Sequence, residues 1–389
     1  MGLGRREFML AVLASGACNP TRRVEARRRI RAEGSRQNQV EASGLQLLAA
    51  RHPGLGLPRL RLGSFPSRVD AAAELSRRLG LELWLKRDDL AHPLFGGGKL
   101  RKLELLLADA LHSKRTGVIT FGGAGSNQCL ATALFAPRAA LPTTVVLAPQ
   151  PKSDTVRARL RALAASSAEL RFATGVERAQ TEALAREQHD PRAPYVIPAG
   201  GTGPLGNLAF AAAAFEMNQD VRLGRMPEPR WIVLAGGTLG SAVGLCLGLE
   251  LLGSKTRVLA VRASSAAYSN PSRARRLFDE TVQYAKRRAA TFPAASLSAE
   301  RLVLEGRELG RGYGHPTPSA ERALRLAADT HGLRLETTYT AKALAALLHT
   351  DRVCRSGPVL LWLTQSASRP PEDEHASARI PAALREYLG

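Results

Sequence analysis

One pattern narrows the folds open to this chain more than any other. A short apolar run, a glycine-rich turn and a helix-like segment follow one another repeatedly from about residue 45 onward. VITF (118–121) reads as a buried strand, Gly122-Gly123-Ala124-Gly125 as its turn, and Ser126 as the start of a helix. WIVLA (231–235), Gly236-Gly237-Thr238-Leu239-Gly240 and a helix over 241–252 repeat the unit. LELWLK (81–86), TTVVL (143–147), YVI (195–197), RVLAV (257–261) and VLLWL (359–363) are further strand-like runs. Residues 99–111, 155–165 and 341–349 are helix-like. Runs apolar on both faces imply parallel strands covered by helices on each side, an α/β chain whose ligands gather where strand ends meet helix starts.

Four glycine-rich turns carry the chemistry. Phe95-Gly96-Gly97-Gly98 delivers Lys99 to a helix N-terminus, where the helix dipole opposes its charge. The residue is read either as a solvated first-turn lysine or as an amine of lowered pKa able to form a Schiff base. Ser126 and Asn127 follow the second turn and place a hydroxyl and an amide beside free backbone N–H groups, a setting for a carboxylate or a phenolic oxygen; Ser126 also reads as a plain N-cap. The third, Gly201-Thr202-Gly203-Pro204-Leu205-Gly206, matches a dinucleotide fingerprint but has no acidic residue at the end of a following strand, so that reading is rejected. The fourth, Gly237-Thr238-Leu239-Gly240-Ser241, fits a phosphate cradle: backbone N–H groups and two hydroxyls at a positive helix end. It lacks the Gly-Lys-Ser/Thr ending of nucleotide hydrolases. An amine, a phosphate cradle and an amide for a ring oxygen together suit pyridoxal 5'-phosphate.

Composition restricts the alternatives. The chain has 389 residues and a formal net charge of +21, a balance that points first to nucleic acid. Only eight of its 55 basic residues are lysines, and the charge forms no concentrated run beyond the tail, so genomic arginine bias accounts for it and no nucleic-acid partner is expected. The four cysteines lie far apart without a C-x-x-C pair, and the histidines form no H-x-x-x-H pair, so no metal site is expected. No apolar run approaches the roughly 18 residues of a membrane span. Residues 1–18 contain Arg5-Arg6 before an apolar stretch, then Ser15-Gly16-Ala17-Cys18. The segment is read either as a twin-arginine or lipoprotein-like export signal, or as part of a non-native or disordered tail over 1–44 on a cytoplasmic protein.

At these motifs the chain resembles the pyridoxal-phosphate enzymes of the tryptophan synthase β-like group, fold type II. It is most similar to the branch of D-cysteine desulfhydrase and 1-aminocyclopropane-1-carboxylate deaminase. The resemblance rests on LKRDDLAHPLFGGGKLRKLELLLADAL (85–111), GSNQCLATA (125–133), YVIPAGGTGPLGNLAF (195–210), GGTLGSAVGL (236–245), RGYGHPTP (311–318) and YTAKALAAL (339–347). It implies two open twisted sheets. The larger, cofactor-binding domain would comprise 45–111 and 211–389, and the smaller 112–210.

The resemblance also assigns roles. Lys99 would carry the cofactor and exchange the substrate α-proton. Ser126 and Asn127 would contact substrate carboxylate and cofactor, Tyr313 and Tyr339 would flank the ring, and Thr364 would lie near the pyridine nitrogen. A small amino-acid substrate and a homodimer are implied. The chain departs from the family at three places: Gly98 stands where it has Asn, Leu363-Thr364-Gln365-Ser366 where it has His-Thr-Gly-Gly, and Thr340 where the deaminase branch has Glu. Without that Glu, β-elimination is favoured over cyclopropane ring opening. The expectation is a lyase that turns a D-cysteine-like amino acid into pyruvate and ammonia. The alternatives are the deaminase, a protein of this fold that binds the cofactor without turnover, and, from charge alone, a nucleic-acid binder.

Overall fold

The computed structural model describes residues 42–189, 194–349, 357–370 and 373–388; the signal-like segment and Cys354 lie outside them. The strands are β1 (Val69–Ala71), β2 (Leu83–Lys86), β3 (Val118–Gly123), β4 (Thr143–Ala148), β5 (Glu169–Phe172), β6 (Tyr195–Ile197), β7 (Trp231–Gly236), β8 (Arg257–Arg262), β9 (Leu302–Glu305) and β10 (Val359–Trp362). They form a six-stranded sheet, order β1-β2-β10-β7-β8-β9, and a four-stranded sheet, order β5-β4-β3-β6. Every pairing is parallel except β1 with β2, as the expected α/β architecture requires. The central strands β3, β4 and β10 are buried along their whole length, which is why they read as continuous apolar runs.

The helices are α1 (Gly44–Arg51), α2 (Ala73–Leu79), α3 (Gly98–His112), α4 (Asn127–Phe135), α5 (Asp154–Ala165), α6 (Val176–His189), α7 (Pro204–Arg222), α8 (Gly240–Leu252), α9 (Pro271–Arg288), α10 (Pro318–His331) and α11 (Thr340–Leu348). Their starts are written in the sequence. Ser126, Ser153, Asn270 and Thr317 each accept a backbone N–H as N-caps, and α7, α9 and α10 begin with proline. One apolar core runs from Leu103 of α3 through Val145 of β4 to Ile232 of β7, so both sheets press on shared helices. A second core, including Leu75, Val233, Leu259, Ala323 and Leu344, covers the other face of the larger sheet. No described helix is long and apolar enough to cross a membrane.

This packing brings the carboxyl ends of β3, β6, β7 and β10 to one cavity, each followed by a turn that lines it. The crevice beyond strand ends is where ligands sit in open α/β sheets.

Candidate active site

The lysine turn is built from beneath. Gly97 has φ +98°, and a Cβ there would meet the Thr364 carbonyl oxygen at 2.6 Å, so only glycine lets the turn lie against the end of β10. Three bonds fasten it: Gly97 N–H donates to Asp88 O (2.7 Å), Gly98 N–H to Thr364 O (3.0 Å) and Gly96 N–H to Ser366 Oγ (2.9 Å). Below lies a buried ionic network. Arg101 donates to both Asp88 and Glu216, Lys86 pairs with Glu216 and Asp220, and Trp362 Nε1 donates to Asp88. The Lys-Arg-Asp-Asp run at 86–89 thus supports the turn without facing the cavity.

Lys99 enters the cavity with its Nζ 3.3 Å from Gly200 O, and burial pulls its pKa down to about 8. Lys102, one turn on, is fully buried, donates to the same carbonyl at 3.1 Å, and its pKa also falls, by burial first and then by Lys99. A Cβ on Gly200 would stand 2.5 Å from Thr238 Oγ1 and 3.5 Å from Lys99 Nζ, so amine and cradle flank one glycine. Thr238 Oγ1 shares a 2.5 Å hydrogen bond with Thr202 Oγ1, which ties the cradle to the third turn. Leu239 holds φ +66° as the residue before α8, exposing the first N–H groups of that helix. Gly240 has no room for a Cβ, which would strike Asn207 Oδ1 and Thr202 Oγ1 at 2.5 and 2.6 Å.

Across the cavity, Ser126 caps α4 and Asn127 opens it. Asn127 Nδ2 donates to Gln365 Oε1, while Asn127 Oδ1 is buried without a partner. Tyr339 OH donates to Tyr313 OH at 3.0 Å. Burial raises both phenols, so both stay protonated near neutral pH; the bond lowers Tyr313 and raises Tyr339, leaving Tyr313 the better acid. Glu336 fixes Tyr339 by accepting the N–H groups of Thr338, Tyr339 and Thr340.

The structure brings every residue singled out from the sequence into this one cavity: Lys99, Ser126, Asn127, Gly237, Thr238, Leu239, Gly240, Ser241, Tyr313, Tyr339 and Thr364. Sequence reasoning missed Gly200, Thr202, Lys102 and Glu336. Lys102 had a signal, as one of only eight lysines and three residues beyond Lys99 on the same helix face. The arrangement fits pyridoxal phosphate: an amine of lowered pKa for an aldehyde, and a hydroxyl-lined helix N-terminus for a phosphate, on either side of Gly200.

A sequence model described as pyridoxal-phosphate dependent enzyme matches residues 60–365. D-cysteine desulfhydrase of Klebsiella pneumoniae subsp. pneumoniae is 31% identical over 326 residues, 80% of this chain and 94% of that protein. The desulfhydrase of Salmonella schwarzengrund is 31% identical over 322 residues, with the same coverage. Among solved structures, an ACC deaminase homologue superposes with a TM-score of 0.70 at 25% identity, covering 85% of this chain and 96% of its own. Threonine deaminase isoform 2 from Solanum lycopersicum, at 17% identity and a TM-score of 0.56, shares the fold.

Proposed function

Because this chain belongs to the pyridoxal-phosphate-dependent enzymes, we propose that it is a lyase of D-cysteine-like amino acids, converting D-cysteine and water to hydrogen sulfide, pyruvate and ammonia. The observation that carries the reading is Lys99, a half-buried amine of lowered pKa that lines the same cavity as the Gly237–Ser241 cradle. When bound, the cofactor supplies an electron sink for the substrate's α-carbon. Lys99 Nζ holds it and, as an amine of pKa about 8, is basic enough to take the α-proton. The Gly237–Ser241 loop and Thr364 hold its phosphate and its ring nitrogen side. Ser126 and the α4 N-terminus orient the substrate carboxylate. Tyr313, the more acidic phenol of the pair, gives its proton to the leaving thiolate. Thr340 stands where the deaminase branch has Glu and offers the ring nitrogen no acidic proton, which favours substrates with a good β leaving group over the cyclopropane amino acid.

The same reading divides the chain into a larger domain, 45–111 with 211–389, and a smaller one, 112–210, and assembles it as a homodimer. All strands of the four-stranded sheet fall within the smaller segment, which supports the division. The test of function is pyruvate release by cofactor-loaded protein from D-cysteine, L-cysteine, D-serine and 1-aminocyclopropane-1-carboxylate. D-cysteine is expected to be turned over fastest. Preference for the cyclopropane substrate would favour the deaminase, and silence on all four would leave a cofactor-binding protein without this chemistry.

A further inference from the structure

Arg159 is a buried cation that the proposed reaction does not use. It lies on α5 and is 4% exposed. Its Nη1 donates to Gly125 O at 2.8 Å, and no carboxylate of the described residues forms an ion pair with it. A buried charge is normally paired, because desolvating it alone is costly. Among the described residues no counter-charge faces it, and the guanidinium is bonded to the turn that opens onto the cavity.

That turn is gripped at both ends. Gln150 Oε1 accepts Gly125 N–H at 2.9 Å while Arg159 takes the carbonyl. The next residue, Ser126, caps α4, a nine-residue helix whose first N–H groups lack intrahelical partners. Asn127 at its head is 7% exposed. The positive charge of Arg159 also reaches the tyrosine pair and opposes part of the rise that burial imposes on both phenols. Helix end and guanidinium therefore add, and an anion bound in the cavity at this turn would complete them.

We propose that Arg159 is a positioning residue for the substrate's α-carboxylate, which supplies its missing counter-charge through the Gly125–Asn127 turn. The inference rests on the reading of the cavity as an amino-acid site loaded with pyridoxal phosphate. Arg159 touches neither substrate nor cofactor; it locks the turn and sets its potential.

The test uses the holoenzyme and follows its visible absorbance as D-alanine or D-alaninamide is added. Both lack a leaving group, and only the first has a carboxylate. Wild type is expected to bind D-alanine the more tightly. Arg159→Gln, which removes the charge, should weaken D-alanine roughly tenfold and leave D-alaninamide within about twofold. Arg159→Lys should retain most of the discrimination. Equal weakening of both probes would mean that Arg159 only holds the turn, and would overturn the proposal. So would unchanged affinity for both, or a wild type that does not discriminate, an outcome that needs no variant to fold. A wild type without the cofactor's visible band would instead contradict the functional reading beneath it.

Discussion

Lys99 sits in the first turn of α3, where helix dipole and burial both oppose its charge, and no carboxylate among the described residues offsets them. Its pKa of about 8, against an ordinary 10.5, has a measurable sign. The unprotonated amine attacks an aldehyde, so cofactor uptake by the apoprotein should accelerate with rising pH through a midpoint near 8, read from growth of the visible band. A midpoint above 10 would mean an ordinary solvated lysine. The three departures from the family also have local causes. Gly98 stands where Asn is usual because a Cβ there would lie 2.7 Å from Phe210 Cζ. Ser366 replaces a glycine and uses its Oγ to hold Gly96 N–H. Thr340 replaces Glu, and its N–H and hydroxyl both bond to Glu336, four residues earlier in the loop before α11. Gln365 is bonded to Asn127, so the altered segment is integrated into the site. None of these partners was legible in the sequence, because each lies many residues away or depends on a side chain's direction.

At the scale of elements, the sequence was most legible where strands are buried on both faces. VITF, TTVVL, WIVLA and RVLAV each fall within an observed strand, and the helix starting at Ser126 is capped as expected. It was least legible at the sheet edges. β1, β5 and β9 are short and mostly only partly buried, β1 and β5 carry no apolar run and β9 only Leu302–Leu304, and β1 is the antiparallel exception. The ionic network under α3 was equally invisible, since Arg101, Asp88 and Glu216 meet from three elements. It has a stability consequence. Arg101 is 5% exposed, bonded to two carboxylates and stacked 4.1 Å from the Phe65 ring. Arg101→Met leaves those carboxylates short of a cation and should cost about 3–5 kcal/mol in urea unfolding. A loss below about 1 kcal/mol would show that Lys86 and Trp362 suffice to neutralise the network.

For the whole molecule, the charge of +21 acquires a partial structural meaning. Several arginines stitch loops by donating to backbone carbonyls: Arg301 to Ser254 and Thr256, Arg288 to Leu55 and Gly56, Arg379 to Ala164, Ser166 and Ala168. The guanidinium's several fixed donors suit that work better than lysine's single ammonium. Folding selects one of eight lysines, because turns far apart in sequence meet at Lys99. Borohydride reduction of the cofactor-loaded protein, followed by peptide mass mapping, tests this directly. A single pyridoxyl-modified peptide is expected, with the label on Lys99, although Lys102 lies one turn away with a pKa that is also lowered. Label on Lys102 or on another lysine, or no label on fully loaded protein, would contradict it.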